Sequence, residues 1–583
     1  MNRRKTLTIS LAISLLLLAF NLRTTYSQQT ERSQSAPDNS QTGTITGRVT
    51  GEQGQPLPGA AISIQAIKFS LQQRNATSDN DGNFQFTNLD QGLYKIFAYA
   101  PAYTLPPREP DTPVPYYRIG DNVRLELVRG GIITGTVTNA AGEPIVGIRV
   151  KAAMVRDLND GSPVEPFFRM QEKLTDDRGI YRIYGLAPGT YVVSAGGASQ
   201  NQYELTPYEL DAPTYAPSGT RDNAAEVVIR SGEERNIDIR YRSESGHTVS
   251  GRVKLNSTAG ATVTLLPPSG ELGSAITTYI GNDGPGFAIL GVPDGDYTIS
   301  AQEALTQSPG SVTFAISEPM RVAVRGADVT GIELTPKPLG SVTGRLSLTS
   351  STAAECQGKR KPLLSETIIE IKRNASKNDT DELSYLRYLT PPSVPDKDGN
   401  FELRNLRVGQ YVFTPRFFAR YWYLQSITLP APSTKSTTAN ANTDAGRNWI
   451  TVKTGERVAG LTLTLAEGAA SIRGKVGLAE GTQTPERLSV YVVPAEREKT
   501  DDVFRYFVSR VEPDGTFALN NIAPGRYWTI TQVSDVPELS RDNFRLPSSA
   551  EVRTKIRRAA ELATKEISLK PCEDLKDFVL PLK

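Results

Sequence analysis

The sequence contains few of the residues that most often carry catalysis or bind metal ions. Its 583 residues include one histidine, His247. A zinc peptidase site usually takes two histidines and a carboxylate, and a Ser-His-Asp triad needs a histidine as its base. His247 lies just before a predicted strand in "SGHTVSGRV", and the chain has no Gly-x-Ser-x-Gly motif. We interpret His247 as a surface or junction residue, and we predict no catalytic, cofactor-binding or metal-binding residue and no cofactor.

An excess of one sign of charge is also absent. Lys and Arg number 65 and Asp and Glu number 63, which leaves a net charge of +2. Nucleic-acid-binding proteins usually have a basic excess. The composition therefore gives no support for a nucleic-acid partner.

Long apolar runs are missing except at the N-terminus, where Leu7 to Phe20 follow the basic residues "MNRRK". Small residues, Thr25 and Ser27, precede a cleavage point before Gln28, which is typical of a secretory signal peptide over residues 1–27. The alternative is an uncleaved anchor, although the run is shorter than the ~20 residues that span a bilayer. We expect export to the periplasm, cell surface or medium, and no stable membrane span after cleavage. Residues 28–42 are polar and are predicted to be a flexible leader.

Cysteine is almost absent, with Cys356 and Cys572 standing 216 positions apart. Disulfides persist in exported proteins. Two interpretations are open: one long-range bridge that joins the last domain to the one before it, or two unrelated buried thiols.

One stretch occurs five times with a fixed spacing. Each copy has a turn, an aromatic residue and, ten residues after that aromatic, the Tyr of a Gly-x-Tyr motif. The copies are "DGNFQFTNLDQGLY" (81–94), "DRGIYRIYGLAPGTY" (177–191), "DGPGFAILGVPDGDY" (283–297), "DGNFELRNLRVGQY" (398–411) and "DGTFALNNIAPGRY" (514–527).

Alternating strands bracket every copy. Before each copy comes a strand pattern centred on a glycine, and a closing strand pattern follows after a variable gap. The five glycines are Gly47, Gly135, Gly251, Gly344 and Gly474. Units of ~90–130 residues are domain-sized rather than solenoid repeats. We predict an all-β chain of tandem β-sandwiches over residues 43–129, 130–242, 243–338, 339–468 and 469–583.

The first copy shows how the repeated residues serve such a fold. Asp-Gly supplies the positive φ of a tight turn. Phe84 and Phe86 alternate with polar residues and are predicted to face the core. Gly92 is expected to let the chain pass close to its sheet, where a side chain would collide. Tyr94 is expected to bury its ring and return its hydroxyl to the backbone, as in a tyrosine corner.

The sequence "GRVTGEQGQPLPGAAISI … DNDGNFQFTNLDQGLYKIFAYAPAY" resembles the carboxypeptidase regulatory-like domain. The resemblance implies that the sandwiches are Greek-key domains, transthyretin-like or Ig-like. The second copy shares the hairpin "GEPIVG", whereas copies three to five match mainly at both ends of the pattern. Taken whole, the chain resembles exported multi-domain proteins of soil acidobacteria. In true carboxypeptidases this domain is a non-catalytic appendage, so the resemblance implies a fold and no peptidase activity.

One segment departs from the strand pattern. Residues 549–566, "SAEVRTKIRRAAELATKE", carry apolar residues near helical spacing, and "PSS" at 547–549 offers an N-cap. We predict a helix that packs on the fifth domain.

The sequence disfavours both a calcium-binding loop and a Lys–Asn isopeptide bond. "DNDGN" and "DKDGN" look like the start of a calcium loop, but aligning Gly82 at position six puts Thr77 at one and Asn88 at twelve. A Lys–Asn isopeptide needs a lysine in a first strand, and Lys475 alone offers it. We interpret the Asp-Gly segments as turns.

Aromatic residues are the remaining candidates for a binding surface, although we assign no binding residue. "RFFARYWYLQ" (416–425) holds Phe417, Phe418, Tyr421, Trp422 and Tyr423, for which core packing is favoured over an exposed platform. The Pro- and Tyr-rich loops 106–120 and 203–219 either form a lateral binding surface or cap the sandwich ends.

The sequence therefore predicts a non-enzymatic, exported binding or spacer module. Its partner is unknown, with a cell-envelope protein or a polysaccharide as candidates and carbohydrate binding as one form of the activity. The alternative is a polysaccharide-active hydrolase with a carboxylate pair at a domain junction.

Overall fold

The structure is a computed structural model in which the chain from Thr42 onward is described with several gaps. The described residues are 42–67, 73–106, 115–157, 170–198, 206–267, 275–281, 284–308, 311–374, 389–430, 443–446, 449–477, 484–485, 487–533, 544–545, 550–563 and 565–582. The predicted signal peptide and the leader up to Gln41 lie outside them. In the described part of the chain, no helix has the length and hydrophobicity needed to span a bilayer.

The strands form paired sheets that recur along the chain, which confirms the predicted β-sandwich fold. We number the sandwiches 1 to 5. Sandwich 1 contains β1 (Gly43–Thr50), β2 (Ala61–Ala66), β3 (Gln73–Thr77), β4 (Asn83–Leu89), β5 (Leu93–Tyr99), β6 (Tyr103–Thr104), β7 (Tyr117–Arg118), β8 (Asn122–Glu126) and β9 (Val128–Arg129). Sandwich 2 contains β10 (Gly131–Thr138), β11 (Arg149–Asp157), β12 (Met170–Leu174), β13 (Ile180–Leu186), β14 (Gly189–Ala195), β15 (Thr214–Tyr215), β16 (Val227–Ile229), β17 (Glu234–Asn236) and β18 (Ile239–Arg240).

The other three sandwiches follow in the same order. Sandwich 3 contains β19 (His247–Val253), β20 (Ala261–Leu266), β21 (Ile276–Ile280), β22 (Gly286–Val292), β23 (Gly295–Ser308), β24 (Ser311–Ile316), β25 (Met320–Val324), β26 (Val329–Leu334) and β27 (Lys337–Pro338). Sandwich 4 contains β28 (Gly340–Thr349), β29 (Ile368–Arg373), β30 (Asn400–Leu406), β31 (Gly409–Arg416), β32 (Trp422–Leu429), β33 (Thr443–Asp444), β34 (Ile450–Val452) and β35 (Arg457–Glu467). Sandwich 5 contains β36 (Ala470–Gly477), β37 (Leu488–Pro494), β38 (Phe507–Arg510), β39 (Thr516–Ile522), β40 (Gly525–Val533), β41 (Phe544–Arg545), β42 (Glu566–Leu569) and β43 (Asp574–Pro581).

Every sandwich repeats one arrangement. Its first strand lies between the strand that follows the Asp-Gly turn, which is antiparallel to it, and the closing strand, which is parallel to it. We call this the first sheet. The strand that begins at Gly-x-Tyr belongs to the second sheet. Apolar residues of both sheets form one buried cluster per sandwich, so each unit has its own core.

Glycine in the first strand has a packing role in every copy. It lies directly opposite the repeated aromatic residue: Gly47 and Phe84, Gly135 and Tyr181, Gly251 and Phe287, Gly344 and Phe401, Gly474 and Phe517. A Cβ atom at Gly251 would collide with the Ile332 carbonyl oxygen of the parallel closing strand. The glycine therefore allows the closing strand to approach while the ring covers its backbone on the core side.

The tyrosine corner predicted for Tyr94 is present, and it recurs in all five sandwiches. The hydroxyl donates to the carbonyl oxygen four residues upstream, at 2.6 Å from Tyr94 to Asp90 and at 3.0 Å from Tyr297 to Pro293. The same bond joins Tyr191 to Ala187, Tyr411 to Arg407 and Tyr527 to Ala523. Desolvation raises the pKa of the Tyr94 phenol, so the hydroxyl keeps its proton and acts as a donor.

The acidic residues at the turns are engaged by the turn itself. The Asp79 Oδ1 atom accepts hydrogen bonds from the Asp81 and Asn83 amides at 2.9 and 2.8 Å. The bond from Asn83 is the largest cause that lowers the pKa of Asp79. Asp396 binds the amides of Asp398 and Asn400 in the same way. These contacts support the interpretation of the segments as turns.

A second recurring position was missed in the sequence. Four residues after each repeated aromatic, the backbone is left-handed, with φ of 53° at Asn88 and 60° at Asn405. The full set is Asn88, Gly185, Gly291, Asn405 and Asn521. Each lies near the end of its strand, where the register with the first strand shifts in a bulge. Asn and Gly tolerate this conformation best.

The predicted helix is present as α1 (Ala550–Ala563). Ile556 and Ala560 are buried against Tyr491 and Tyr506 of sandwich 5. The helix thus covers the outside of the second sheet, as expected. Short 3-10 helices occur at Pro207–Leu210, Arg221–Asn223, Ala354–Cys356, Leu364–Glu366, Arg497–Lys499 and Val503–Arg505.

Candidate binding site

Two of the left-handed asparagines, Asn405 and Asn521, fasten their sandwiches to the preceding ones. The Asn405 amide donates to the Val312 carbonyl at 3.0 Å, and its oxygen accepts from the Phe314 amide at 3.0 Å. Both partners belong to β24 of the preceding sandwich. Asn521 donates to the carbonyl oxygens of Ala419 and Trp422 at 2.8 and 2.7 Å, so it joins sandwich 5 to sandwich 4.

A disulfide strengthens the same junction. Cys356 and Cys572 are bonded, with their Cα atoms 5.3 Å apart, so the structure supports the first of the two interpretations. Cys356 lies in the segment between β28 and β29, and Cys572 lies in the turn between β42 and β43. Arg420 of sandwich 4 adds an ion pair with Asp574 of sandwich 5.

Sandwich 1 packs against sandwich 4, a contact that no sequence pattern indicated. Leu93 and Tyr116 form a buried cluster with Ile368 of sandwich 4, which is fully buried. The Arg118 guanidinium lies 4.6 Å from the centre of the Phe418 ring and 3.7 Å from the Glu366 carboxylate. The chain therefore folds back on itself.

The expectation for Gly92 was wrong. A Cβ atom there would meet no atom of its own sheet within 4 Å, and its nearest neighbour would be the Ser365 carbonyl oxygen of sandwich 4 at 3.7 Å. This separation is an ordinary van der Waals contact. The residue therefore faces a neighbouring domain rather than a crowded part of its own sheet.

A groove of about 970 Å³ lies where sandwiches 1, 3 and 4 meet. We call it the junction groove. Its floor is the outer face of the first sheet of sandwich 4, with side chains of Thr343, Arg345, Glu402, Arg404 and Arg457. Its walls are Pro391, Pro392 and Val394 of sandwich 4, Val312 and Phe314 of sandwich 3, and Ile67 of sandwich 1.

The floor of the groove is polar and internally paired. Arg404 donates to the Glu402 carboxylate at 2.6 Å, and the Arg345 Nε atom donates to the Asp398 carbonyl at 3.1 Å. Arg457 is exposed at the end where β35 begins. A polar floor between apolar walls suits an elongated ligand with both hydroxyl groups and apolar faces.

The aromatic segment 416–425 is used in packing. Trp422 is fully buried in the core of sandwich 4, and Phe417 packs beside it. Phe418 is 38% exposed and lies against Arg118, and Lys359 lies 4.7 Å from the Tyr421 ring centre. Desolvation raises the pKa of Tyr423. The segment therefore serves the core and the contact with sandwich 1 rather than an open platform.

The two Pro- and Tyr-rich loops are partly described, since residues 107–114 and 203–205 lie outside the described residues. In the first loop, Tyr116 is buried against sandwich 4. In the second, Tyr215 is buried, and Tyr208 packs edge-on against Tyr241 at 5.8 Å. The described tyrosines of both loops are thus buried or half-buried.

His247 lies at the start of β19 and is 26% exposed. Its Nε2 atom is 3.3 Å from Asp294, and its Nδ1 atom is 4.0 Å from Asp328.

Lys475 is exposed on the outer face of β36 rather than in the core. Within the described ranges, no group of three or more His, Cys, Asp or Glu side chains is placed to hold a metal ion.

A buried charged cluster occupies the second sheet of sandwich 2. Arg149 is 3% exposed and pairs with Glu172 at 3.0 Å and Glu209 at 3.9 Å. Lys151 donates to the Ala198 carbonyl oxygen, and desolvation lowers its pKa to about 8 despite the nearby Glu172. The cluster ties the 3-10 helix at Pro207–Leu210 to the sheet, which is a structural role.

Comparison with known proteins confirms the resemblance over part of the chain. The family model of the carboxypeptidase regulatory-like domain matches residues 44–110, within sandwich 1. A comparison with curated proteins finds no match. That family match places the Asp-Gly turn, the aromatic pair and the tyrosine corner of sandwich 1 inside one recognised domain type.

Solved structures with similarity include two pilins and the TIE protein of Bacillus anthracis. The Bacillus anthracis TIE protein is 16% identical, with 51% of each chain covered and a TM-score of 0.14. The minor pilin GBS52 of Streptococcus agalactiae is 14% identical over 34% of this chain and 94% of its own, with a TM-score of 0.19. The major pilin subunit BcpA of Bacillus cereus is 12% identical over 51% of this chain and 99% of its own, with a TM-score of 0.13. At these identities no function transfers from these proteins.

Proposed function

We propose that the protein is a non-enzymatic, exported module of the cell envelope or the extracellular space. In this proposal its sandwich domains, with the limits predicted from the sequence, form a rigid scaffold that presents the junction groove to a partner. The observation that carries the proposal is the docking of the domains on one another. Asn405 and Asn521 bind the backbone of the preceding sandwich, and Ile368 is buried between sandwiches 1 and 4.

The disulfide supports export. Disulfides form and persist in oxidising compartments and are rare in the cytosol. The pairing of Cys356 with Cys572 is therefore in keeping with the signal-peptide pattern over residues 1–27.

The lining of the junction groove supports a carbohydrate as the ligand. Guanidinium, carboxylate and hydroxyl groups on the floor match the hydroxyl groups of sugars, and proline and aliphatic walls match their C–H faces. A loop of an envelope protein is the other candidate partner.

The arrangement of carboxylates in the groove favours binding over hydrolysis. A glycoside hydrolase needs one carboxyl group that donates a proton to the leaving group. Asp396 accepts two backbone amides, and Glu402 accepts a hydrogen bond from Arg404. Both carboxylates thus act as hydrogen-bond acceptors rather than as proton donors. A polysaccharide-active hydrolase is therefore the alternative function and not the proposed one.

The test is to incubate the purified full-length chain with a panel of neutral and acidic polysaccharides and peptides, measuring binding and turnover together. We expect binding without turnover. We also expect Arg457→Glu to lower the affinity for ligands that bind in the junction groove. Arg252→Glu, at an exposed position of β19, is the matched control. Turnover that is lost in Asp396→Asn or Glu402→Gln would overturn the non-enzymatic proposal.

A further inference from the structure

Sandwich 5 repeats the site of the junction groove on its own surface. A concave surface of about 660 Å³ covers the outer face of its first sheet, formed by β39, β36 and β43. It lies at Gly474 and Phe517, as the junction groove lies at Gly344 and Phe401. The two surfaces therefore occupy the same place in two copies of one fold.

This surface is basic, and we call it the basic face. Arg473 and Lys475 flank Gly474 on β36, and Lys576 lies on β43 beside them; all three are exposed. Side chains two residues apart on a strand point to the same face about 7 Å apart. Half-buried Arg510 is a fourth cation at the rim.

The remaining lining is mixed in character. Glu512 and Asp577 contribute two carboxylates, and Ser509 and Thr516 contribute hydroxyl groups. Val579, which is 58% exposed, provides an apolar patch. The basic face thus offers anion-binding, hydroxyl-binding and apolar contacts within one surface.

We propose that the basic face binds an acidic polysaccharide through its carboxylate groups. A carboxylated sugar chain carries anions for Arg473, Lys475 and Lys576, and hydroxyl groups for Glu512 and Asp577. Its C–H faces fit the exposed Val579 side chain. A DNA strand fits less well, because its phosphodiester backbone carries no free hydroxyl groups along its length for Glu512 and Asp577 to bind.

This inference rests on the proposed carbohydrate-binding role and narrows it to a class of ligand and a second site. The two proposals fail in different ways. Binding of neutral polysaccharide alone would overturn the inference and leave the carbohydrate role standing, whereas the absence of all polysaccharide binding would overturn both.

The experiment measures binding of the full-length chain to polygalacturonate, neutral dextran and single-stranded DNA by calorimetry at several salt concentrations. We expect polygalacturonate to bind best, with an affinity that falls as salt rises, because salt screens exposed charges. The double variant Arg473→Ala, Lys475→Ala should weaken this binding at least tenfold and flatten its salt dependence. The matched control Arg252→Ala, Lys254→Ala removes two exposed cations at the end of the first strand of sandwich 3, one within β19 and one directly after it.

Three outcomes would overturn the inference. One is equal weakening in the control, which would mean a non-specific charge effect. Another is unchanged binding in the Arg473 and Lys475 variant. The third is tighter binding of single-stranded DNA than of polygalacturonate. Circular dichroism of both double variants keeps a folding defect distinguishable from a loss of contacts.

Discussion

At the scale of single residues, the repeated side chains act on the backbone beside them. Each corner tyrosine donates to a carbonyl group four residues upstream. The described turn aspartates Asp79, Asp176, Asp396 and Asp514 accept hydrogen bonds from amides of their own turns. The repeated polar atoms are therefore used within the fold. Variation between the copies lies in outward-facing residues such as Glu402 and Ala518, where a ligand would be met.

The tyrosine corner gives the first prediction. Tyr94→Phe removes the hydrogen bond to Asp90 and leaves that carbonyl group without its partner, so sandwich 1 should lose about 1 kcal/mol of unfolding free energy. Tyr99→Phe, on the same strand but 63% exposed, should have no effect. Chemical denaturation of both variants is the measurement. Equal stability of the two variants would contradict the role assigned to the corner.

The first-strand glycine gives the second prediction. Gly251→Ala places a Cβ atom against the Ile332 carbonyl oxygen, so the closing strand must move. We expect a loss of roughly 1–3 kcal/mol, as for overpacked cores. Gly286→Ala on the paired strand β22, where the nearest atom is 3.9 Å away, is the control and should be nearly neutral. A neutral Gly251→Ala variant would disprove the close approach of the strands.

Lys151 gives a prediction about pH. Its pKa is lowered to about 8 in the folded chain from 10.5, so the unfolded chain binds more protons between these values. The contribution of Lys151 to the free energy of unfolding should therefore rise as the pH increases from 8 to 10.5. The unfolding temperature of the native protein, compared with that of Lys151→Met across this range, measures the effect. Lys173→Met, at an exposed neighbouring position, should run parallel to the native protein.

At the scale of elements, the strand after the Asp-Gly turn has two functions in sandwiches 4 and 5. Its start pairs an aromatic ring with glycine, and its left-handed end reaches the preceding sandwich at Asn405 and Asn521. In sandwich 1 the corresponding left-handed residue, near the end of β4, is Asn88, which is exposed. Docking of domains is therefore built into the same strand that closes the core.

Mutation can distinguish the contribution of the Asn521 side-chain amide from that of its left-handed backbone conformation. Asn521→Gly keeps the left-handed backbone and removes the side-chain hydrogen bonds to sandwich 4, whereas Asn521→Ala also strains the backbone. We expect Asn521→Gly to speed proteolysis between sandwiches 4 and 5 once the disulfide is reduced, with little loss of core stability. Unchanged proteolysis in reduced Asn521→Gly would show that the amide does not hold the junction.

Local features of the fold were predictable and the docking was not. The ten-residue spacing of aromatic and tyrosine identified the strands and the corner, because both depend on neighbours in the sequence. The left-handed position was visible as Asn or Gly four residues after each aromatic, yet its contacts lie in another domain. The pairing of Ile368 with Leu93 depends on residues 275 positions apart, and no local pattern encodes it.

At the scale of the whole molecule, the described sandwiches from Thr42 onward form one unit in which the chain folds back on itself. Sandwich 1 lies on sandwich 4, and the disulfide holds sandwich 5 to sandwich 4. The junction groove exists only because three sandwiches meet. If the domains were independent, the groove would have no fixed walls, so its proposed role depends directly on this arrangement.

Small-angle X-ray scattering of the full-length protein and of Tyr116→Arg tests the folded-back scaffold most directly. Tyr116 is buried against sandwich 4 with the Arg416 guanidinium 5.2 Å from its ring centre, so an arginine there introduces repulsion at the contact. We predict a compact native particle, an increased radius of gyration in Tyr116→Arg, and no change in the exposed control Tyr99→Arg. An extended native particle whose radius of gyration is unaffected by Tyr116→Arg would contradict the account.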